Sequence, residues 1–340
     1  MFQNKIRSTT FLNKIIWSLA LLILVVAPAC NKDKYIKPGD TLDVAYKKAM
    51  RFYTEGNYTD ASDAFETLIS MGRGTDYAED AQYRLAQSYF KNEKYLLAAS
   101  EYERYASLYP RSERREEVDF KRALCYYYLS PRYKLDQKHT NRSIELFQLF
   151  LSRNPDSDRA PEAASYIDEM REKLAHKIYG AADLYMRIDR YKAAAIYYGQ
   201  VIDRYPETSW AEKALVDQIY AYVEYADNSV FQKQKERYNK AVASYEKYVQ
   251  LFPEGEHRSQ AEEYYDRAKV GLERVRKIVA NGGLPPRDTT VEFLGMTFDF
   301  GWLTGEDRSQ VADTTIDRNP RATQSPASSG QPTGRMGGGQ

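Results

Sequence analysis

Histidine and cysteine are scarce: His139, His176 and His257 are the only histidines among 340 residues, and Cys30 and Cys125 the only cysteines. The histidines stand far apart, without Cys, Asp or Glu at ligand spacings, so no metal site is expected. There is no HExxH, no Gly-rich phosphate loop and no nucleophile elbow, which removes the common sequence signatures of metalloprotease, nucleotide and acyl-transfer chemistry. Neither an enzyme nor a cofactor is expected. Net charge is missing too: 49 Lys+Arg against 48 Asp+Glu leave +1, too little field to hold nucleic acid. Long apolar runs are confined to one, Ile15 to Val26, broken only by Ser18 and too short for a spanning helix.

That run belongs to a leader. Lys5, Arg7 and Lys14 precede it and the small residues Ala27, Pro28 and Ala29 follow, so residues 1–29 read as a secretory signal peptide. The Ala-Pro-Ala-Cys junction resembles a bacterial lipobox, with Ala27 in place of the usual Leu; the resemblance implies that Cys30 is acylated and anchors the chain in a membrane. The alternative is ordinary cleavage near Ala29. Asn31-Lys32-Asp33-Lys34 offers no acidic pair, which by likeness to lipoprotein sorting favours the outer membrane, facing the periplasm. Residues 30–40 read as a linker from the anchor. Cys125 is then without a disulfide partner, and its neighbours Ala123-Leu124 and Tyr126-Tyr127-Tyr128 make it a buried core thiol.

Tyrosine is the residue in excess, 30 of 340, and it recurs in register. From Ala86, aromatics follow at +3 (Tyr89) and +9 (Tyr95), a small residue at +12 (Ala98), an aromatic at +16 (Tyr102) and proline at +24 (Pro110). Small residues let two helices cross closely, aromatics fill the groove beside them, and proline ends the second helix. The spacing resembles the tetratricopeptide (TPR) family. The second-helix half recurs as Ser143, Phe147, Pro155; as Ala194, Tyr198, Pro206; and as Ala241, Tyr245, Pro253. A further copy, Ala49, Phe52, Gly56, Tyr58, Ala61, Phe65, has Arg73 where the proline would stand. The expectation is an all-α TPR-like superhelix of about five repeats, with Ile219 marking the weakest first helix. Ser130–Gln137 interrupts the third repeat and Asn228–Arg237 the fifth, and a long helical stretch, Ala160–Gly180, joins an N-terminal block at 41–155 to a C-terminal block at 156–280.

Residues 281–340 form a tail. Asn281-Gly282-Gly283-Leu284-Pro285-Pro286 stops the last helix, and Thr290–Trp302 alternates, as a segment folding back on the last repeat would, or a strand or docking peptide that adds to a partner. Half of residues 319–340 are Gly, Pro or Ser, which predicts disorder.

What is left is binding. In the TPR register the first helices line the concave face, placing Tyr46, Met50 and Tyr53, then Tyr83, Gln87 and Phe90, then Phe120, Leu124 and Tyr127 along a groove suited to an extended peptide with aromatic or apolar side chains. Two segments narrow the likeness. Asp136-Gln137, Thr140, Ser143, Phe147, Pro155-Asp156-Ser157 and Leu174-Ala175, Tyr179, Ala182, Tyr185, Tyr191, Ala193-Ala194, Tyr205-Pro206, Thr208 resemble the third and fourth repeats of the BamD family, TPR lipoproteins of the outer-membrane β-barrel assembly machinery. The resemblance covers about residues 30–275 and departs at Ser143, at Asn154-Pro155, in the fifth-repeat insertion and in the tail. It implies a scaffold whose C-terminal repeats hold a BamA-like barrel protein, whose N-terminal groove receives unfolded outer-membrane proteins, and which sits among other assembly subunits. The competing expectation is a lipid-anchored adaptor linking the outer membrane with cell-wall or secretion proteins. A glycan-binding uptake lipoprotein would want more exposed tryptophan than Trp210 and Trp302 supply.

Overall fold

A computed structural model describes residues 35–283 and the strand residues 290–293 and 296–299. The signal peptide, Cys30 and residues 319–340 lie outside the described residues. Eleven helices are described: α1 Leu42–Thr54, α2 Tyr58–Met71, α3 Asp76–Lys91, α4 Tyr95–Leu108, α5 Arg115–Tyr128, α6 Lys138–Arg153, α7 Ala160–Arg187, α8 Tyr191–Arg204, α9 Ser209–Asp227, α10 Phe231–Leu251 and α11 Arg258–Ala280. They form five consecutive hairpins, α1/α2 to α9/α10, followed by α11. The chain divides into two compact units, one ending at Val275 and the other starting at Arg276. In the second, β1 (Thr290–Phe293) and β2 (Met296–Asp299) pair antiparallel, Thr290 opposite Asp299 and Phe293 opposite Met296. The strand expected within Thr290–Trp302 is thus two strands paired with each other.

The hairpins follow from the sequence punctuation. Pro110, Pro155, Pro206 and Pro253 each follow a helix cap, and the residues before them, Tyr109, Asn154, Tyr205 and Phe252, share φ between −124° and −140° with ψ between 53° and 65°. A residue before proline is pushed out of the helical region, so α4, α6, α8 and α10 stop there. Within hairpins the turn needs a left-handed residue, supplied by Gly56 (φ 78°) in the first, but by Glu93 (φ 58°) and Asp189 (φ 59°) in the second and fourth. After each, an N–H reaches back five residues: Asn57 to Phe52, Lys94 to Tyr89 and Arg190 to Tyr185.

The crossing residues are fully buried: Ala49 and Ala61, Ala86 and Ala98, Ala123 and Ser143, Ala182 and Ala194, Ile219 and Ala241. Ser143 is tolerated among them because its hydroxyl donates to the Ala123 carbonyl at 2.9 Å. Cys125 is buried in the core as expected, and burial pushes its thiol up to about 12.

Ser130–Gln137 lies between α5 and α6 as expected, whereas the fifth-repeat insertion and the joining stretch differ. The Asn228–Arg237 insertion is loop only as far as Val230, and the rest winds onto the front of α10. The joining stretch does not end at Gly180: α7 runs on to Arg187, so the first helix of the fourth repeat carries the joint as its own N-terminal extension. Variable spacing between repeats is bridged by a recurring carboxylate. Glu79 on α3 accepts from Ser112 Oγ (2.6 Å) before α5, and Glu116 on α5 from Ser157 Oγ (2.5 Å) before α7. Glu172 on α7 accepts from Ser209 N and Oγ (2.7 and 2.9 Å) at the start of α9, and Glu212 on α9 from His257 N (2.8 Å) before α11. The first helices of repeats two to five therefore each hold the entrance of the helix that opens the next unit.

The core falls into three clusters. One joins α1, α2 and α3 around Phe52, Phe65 and Leu68; a second joins α3, α4 and α5 around Tyr102 and Tyr105; the third runs from Phe120 to Val275. Helix α11 meets α9 and α10 through stacked rings, Tyr264 on Tyr220 (4.8 Å) and Tyr265 on Tyr245 (4.1 Å).

Candidate functional site

Four of the nine groove residues converge. Tyr46 on α1 donates its hydroxyl to Asp80 Oδ2 on α3 at 2.7 Å, and Arg114 Nη1 donates to the other oxygen at 2.6 Å. Tyr53 donates to Gln87 Oε1 at 2.9 Å, and Gln87 Nε2 donates to the Tyr83 hydroxyl at 2.5 Å. Cationic planes lie over these rings: Arg84 is 5.4 Å from Tyr53 and Arg114 is 4.7 Å from Tyr83. Burial raises the Asp80 carboxyl, but hydrogen bonds from Tyr46 and Arg114 outweigh it and hold the group below its ordinary value. Burial, then the Asp80 hydrogen bond, pushes Tyr46 up to about 12.

The polar pattern repeats along the first helices. Asp43, Asp80 and Glu117 each pair with the cation four residues on, Lys47 (2.7 Å), Arg84 (3.5 Å) and Lys121 (2.9 Å). Asp80 also receives Tyr46 from the preceding repeat. At Glu117 burial raises the carboxyl, but Lys121 and then Tyr83 of the preceding repeat outweigh it and lower the group.

Burial separates the nine. Tyr83 (5 %), Gln87 (9 %) and Phe120 (2 %) present almost no surface. Phe120 sits edge-on to Phe147 and Phe150 at 5.5 and 5.4 Å, inside the third cluster. Met50 and Leu124 are half-buried against the first and third clusters. Phe90 and Tyr127 belong to a band of rings that the sequence register only half marks. Phe90 meets Tyr95 (5.6 Å) and Tyr128 (5.9 Å), and Tyr95 stacks on Tyr128 at 4.9 Å. Tyr128 leads to Tyr127 (5.6 Å) and Tyr127 to Tyr166 (4.5 Å), with the Tyr127 hydroxyl held by Glu169 at 2.6 Å. Tyr128 is 48 % exposed. Tyr95 and Tyr128 were visible as motif and as the end of the Tyr126-Tyr127-Tyr128 run; Tyr166 lies in the α7 extension, upstream of any motif position.

Among the described residues no three His, Cys, Asp or Glu side chains are placed to hold a metal ion, and no helix is long and apolar enough to cross a membrane.

Residues 39–236 match the YfiO family, described as an outer membrane lipoprotein. Relatives are outer membrane protein assembly factors named BamD: from Vibrio cholerae, 25 % identical over 59 % of this chain and 88 % of its own length. The one from Neisseria meningitidis is 24 % identical over 60 % and 80 %, and the one from Caulobacter vibrioides 22 % over 54 % and 60 %. Among solved structures, the TPR2AB domain of yeast Sti1 overlays 71 % of this chain and 94 % of its own with a TM-score of 0.32 at 15 % identity. The overlay is loose; the five helical hairpins, four of them ended by proline, themselves define the repeat fold, and the chain belongs to the YfiO family of outer membrane lipoproteins.

Proposed function

We propose that the protein is a lipid-anchored TPR scaffold of the outer-membrane β-barrel assembly complex. The observation that carries this reading is the family match across residues 39–236, which includes the first four hairpins and the start of the fifth. In this reading acylated Cys30 holds the chain at the outer membrane, facing the periplasm. The N-terminal block, 41–155, receives segments of unfolded outer-membrane proteins, and the C-terminal block, 156–280, holds a BamA-like barrel protein beside other assembly subunits. The scaffold binds and positions; it performs no bond chemistry of its own.

The aromatic band supports peptide capture. Tyr95, Phe90, Tyr128, Tyr127 and Tyr166 run across α3, α4, α5 and α7 as partly exposed rings, a surface on which apolar side chains of an extended chain gain burial while hydroxyls stay wet. Tyr46 and Tyr53 shape one end of that surface with their hydroxyls already engaged. Helix α7 contributes Tyr166 to the band and carries on into the fourth repeat, so occupancy of the first block is felt along a helix of 28 residues shared with the second.

The test is co-purification from membranes in mild detergent, with Cys30→Ala as the anchoring control. A large barrel protein with periplasmic repeat domains, recovered in stoichiometric amount, is the expected result. Recovery of cell-wall or secretion proteins in its place would transfer the function to an adaptor.

A further inference from the structure

The interruption of the third repeat builds a cleft that the assembly reading does not use. Between α5 and α6 the chain leaves the hairpin and lies against α7, where Tyr133 stacks on His176 at 3.7 Å and His176 stacks on Trp210 of α9 at 4.1 Å. Gly180 makes the approach possible, since a Cβ there would stand 3.3 Å from the Tyr133 ring. The loop is pinned as well as stacked. Lys173 Nζ donates to Ser130 Oγ (2.9 Å), Lys177 Nζ to the Leu135 carbonyl (2.8 Å), and Gln137 Nε2 to the Arg132 and Leu135 carbonyls (2.9 Å each). The result is a preformed cleft of about 810 Å³ with an aromatic wall and the half-exposed Leu135 at its rim.

Its lining carries three cations, Arg132, Lys134 and Lys173, against two carboxylates that face other partners: both oxygens of Glu172 accept from Ser209 and one oxygen of Glu169 from Tyr127. Arg132, Lys134, Lys173 and Lys177 have no carboxylate partner among the described residues; the two lysines on α7 touch only a hydroxyl and carbonyls, and Arg132 and Lys134 point from the exposed loop. Burial, with Lys134 and Lys213 nearby, lowers the affinity of His176 for a proton, as expected where positive charge already accumulates.

We propose that this cleft binds an acidic peptide segment: carboxylates span the loop cations Arg132 and Lys134 and Lys173 of α7, and an apolar side chain rests between Leu135 and Trp210. Cations on both walls call for a ligand with separated negative charges, which a peptide supplies. Trp210 offers a simple sugar little free ring, because His176 covers one face and Tyr179 and Lys213 also lie against it. The inference stands apart from the assembly reading and survives its failure.

The test uses the full chain with Trp17→Phe and Trp302→Phe, leaving Trp210 as the only tryptophan. The probe is the peptide acetyl-Asp-Phe-Glu-Asp-Phe-Glu-amide, compared with its Asn/Gln counterpart and with vesicles of anionic phospholipid. Saturable change in Trp210 emission is expected with the acidic peptide, at least ~10-fold weaker with the neutral one, and weakened by salt. Arg132→Gln and Lys134→Gln, both on exposed side chains, should each weaken binding ~3-fold or more with an unchanged melting temperature. Equal affinity for the two peptides, indifference to both substitutions, no saturation at millimolar peptide, or a response to the vesicles alone would overturn it.

Discussion

Tyr105, fully buried in α4, donates its hydroxyl to Glu79 Oε1 on α3 at 2.6 Å, and the same oxygen accepts Ser112 from the turn before α5. One carboxylate thereby ties the second helix of a repeat and the entrance of the next to a single first helix. Glu79→Ala removes the charged acceptor that both hydroxyls share and leaves Tyr105 and Ser112 only their mutual bond at 2.6 Å, which costs about 1–3 kcal/mol. Urea unfolding should show a lower midpoint, and Glu79→Gln, which keeps an acceptor, should lose less.

Glu93 and Asp189 occupy the left-handed turn position that Gly56 fills in the first repeat. A side chain there costs roughly 1 kcal/mol relative to glycine. Glu93→Gly and Asp189→Gly should therefore raise stability by up to about 1 kcal/mol each, less the entropy glycine adds to the unfolded chain. Thermal unfolding of the two variants checks this; the gain should be smaller at Asp189, whose carboxylate accepts from the Tyr191 hydroxyl at 2.7 Å, and a fall at Glu93 would contradict it.

The stability of the fold should plateau between mildly acidic and mildly alkaline pH. On the acid side, Ser112 and Tyr105 hydrogen bonds lower Glu79, and those from Tyr46 and Arg114 outweigh burial at Asp80. Their contribution is complete above the unfolded carboxylate value, about 4, and is lost as pH falls through the lowered folded values. On the alkaline side, burial and acidic partners push Tyr46, Tyr105 and Tyr238 up to about 12. The neutral phenols favour the folded state, so their contribution is complete below about 10 and is lost as pH rises toward 12. The share of tyrosinate absorbance that belongs to the buried phenols should appear only with loss of helical signal; a tyrosinate titration that is complete before the helical signal falls would contradict it.

Within the groove, two aromatic substitutions should separate. Tyr128→Ala removes a half-exposed ring and should change stability by about 1 kcal/mol or less while weakening capture of an aromatic extended peptide. Phe120→Ala empties a buried site between Phe147 and Phe150 and should cost about 3–5 kcal/mol. Peptide titration beside urea unfolding distinguishes them, and the same loss of binding at equal stability in both would remove the band as the contact surface.

Much of the fold could be read from the sequence because its determinants are local: small residues at crossings, a residue forced out of helix before each of four prolines, and tight turns between paired helices, three of them left-handed. The rest depends on length and burial. Gln232-Lys233-Gln234-Lys235-Glu236-Arg237 has no apolar period to mark it, yet all six are good helix formers and extend α10. In the fifth repeat the buried ring is Tyr248, while the motif residue Tyr245 turns to α11. The groove was legible as a set of positions on first helices. Which rings stay uncovered was not, because exposure of Tyr128 and burial of Phe120 are decided by the arrival of α6 and of the α7 extension, contacts that no spacing within one repeat encodes.

The unequal cores have a consequence for how the molecule breathes. The first and second clusters hold nine buried residues each, the third thirty-two. In a linear array each unit is secured only by its neighbours, so the terminal units with little buried apolar mass open most often. Amide exchange should accordingly run as a gradient, fastest in α1 and α2 and slowest from α7 to α10. The protein would then present its aromatic band at the edge of its most labile region, where admitting a strand disturbs least, while the thick end keeps its shape.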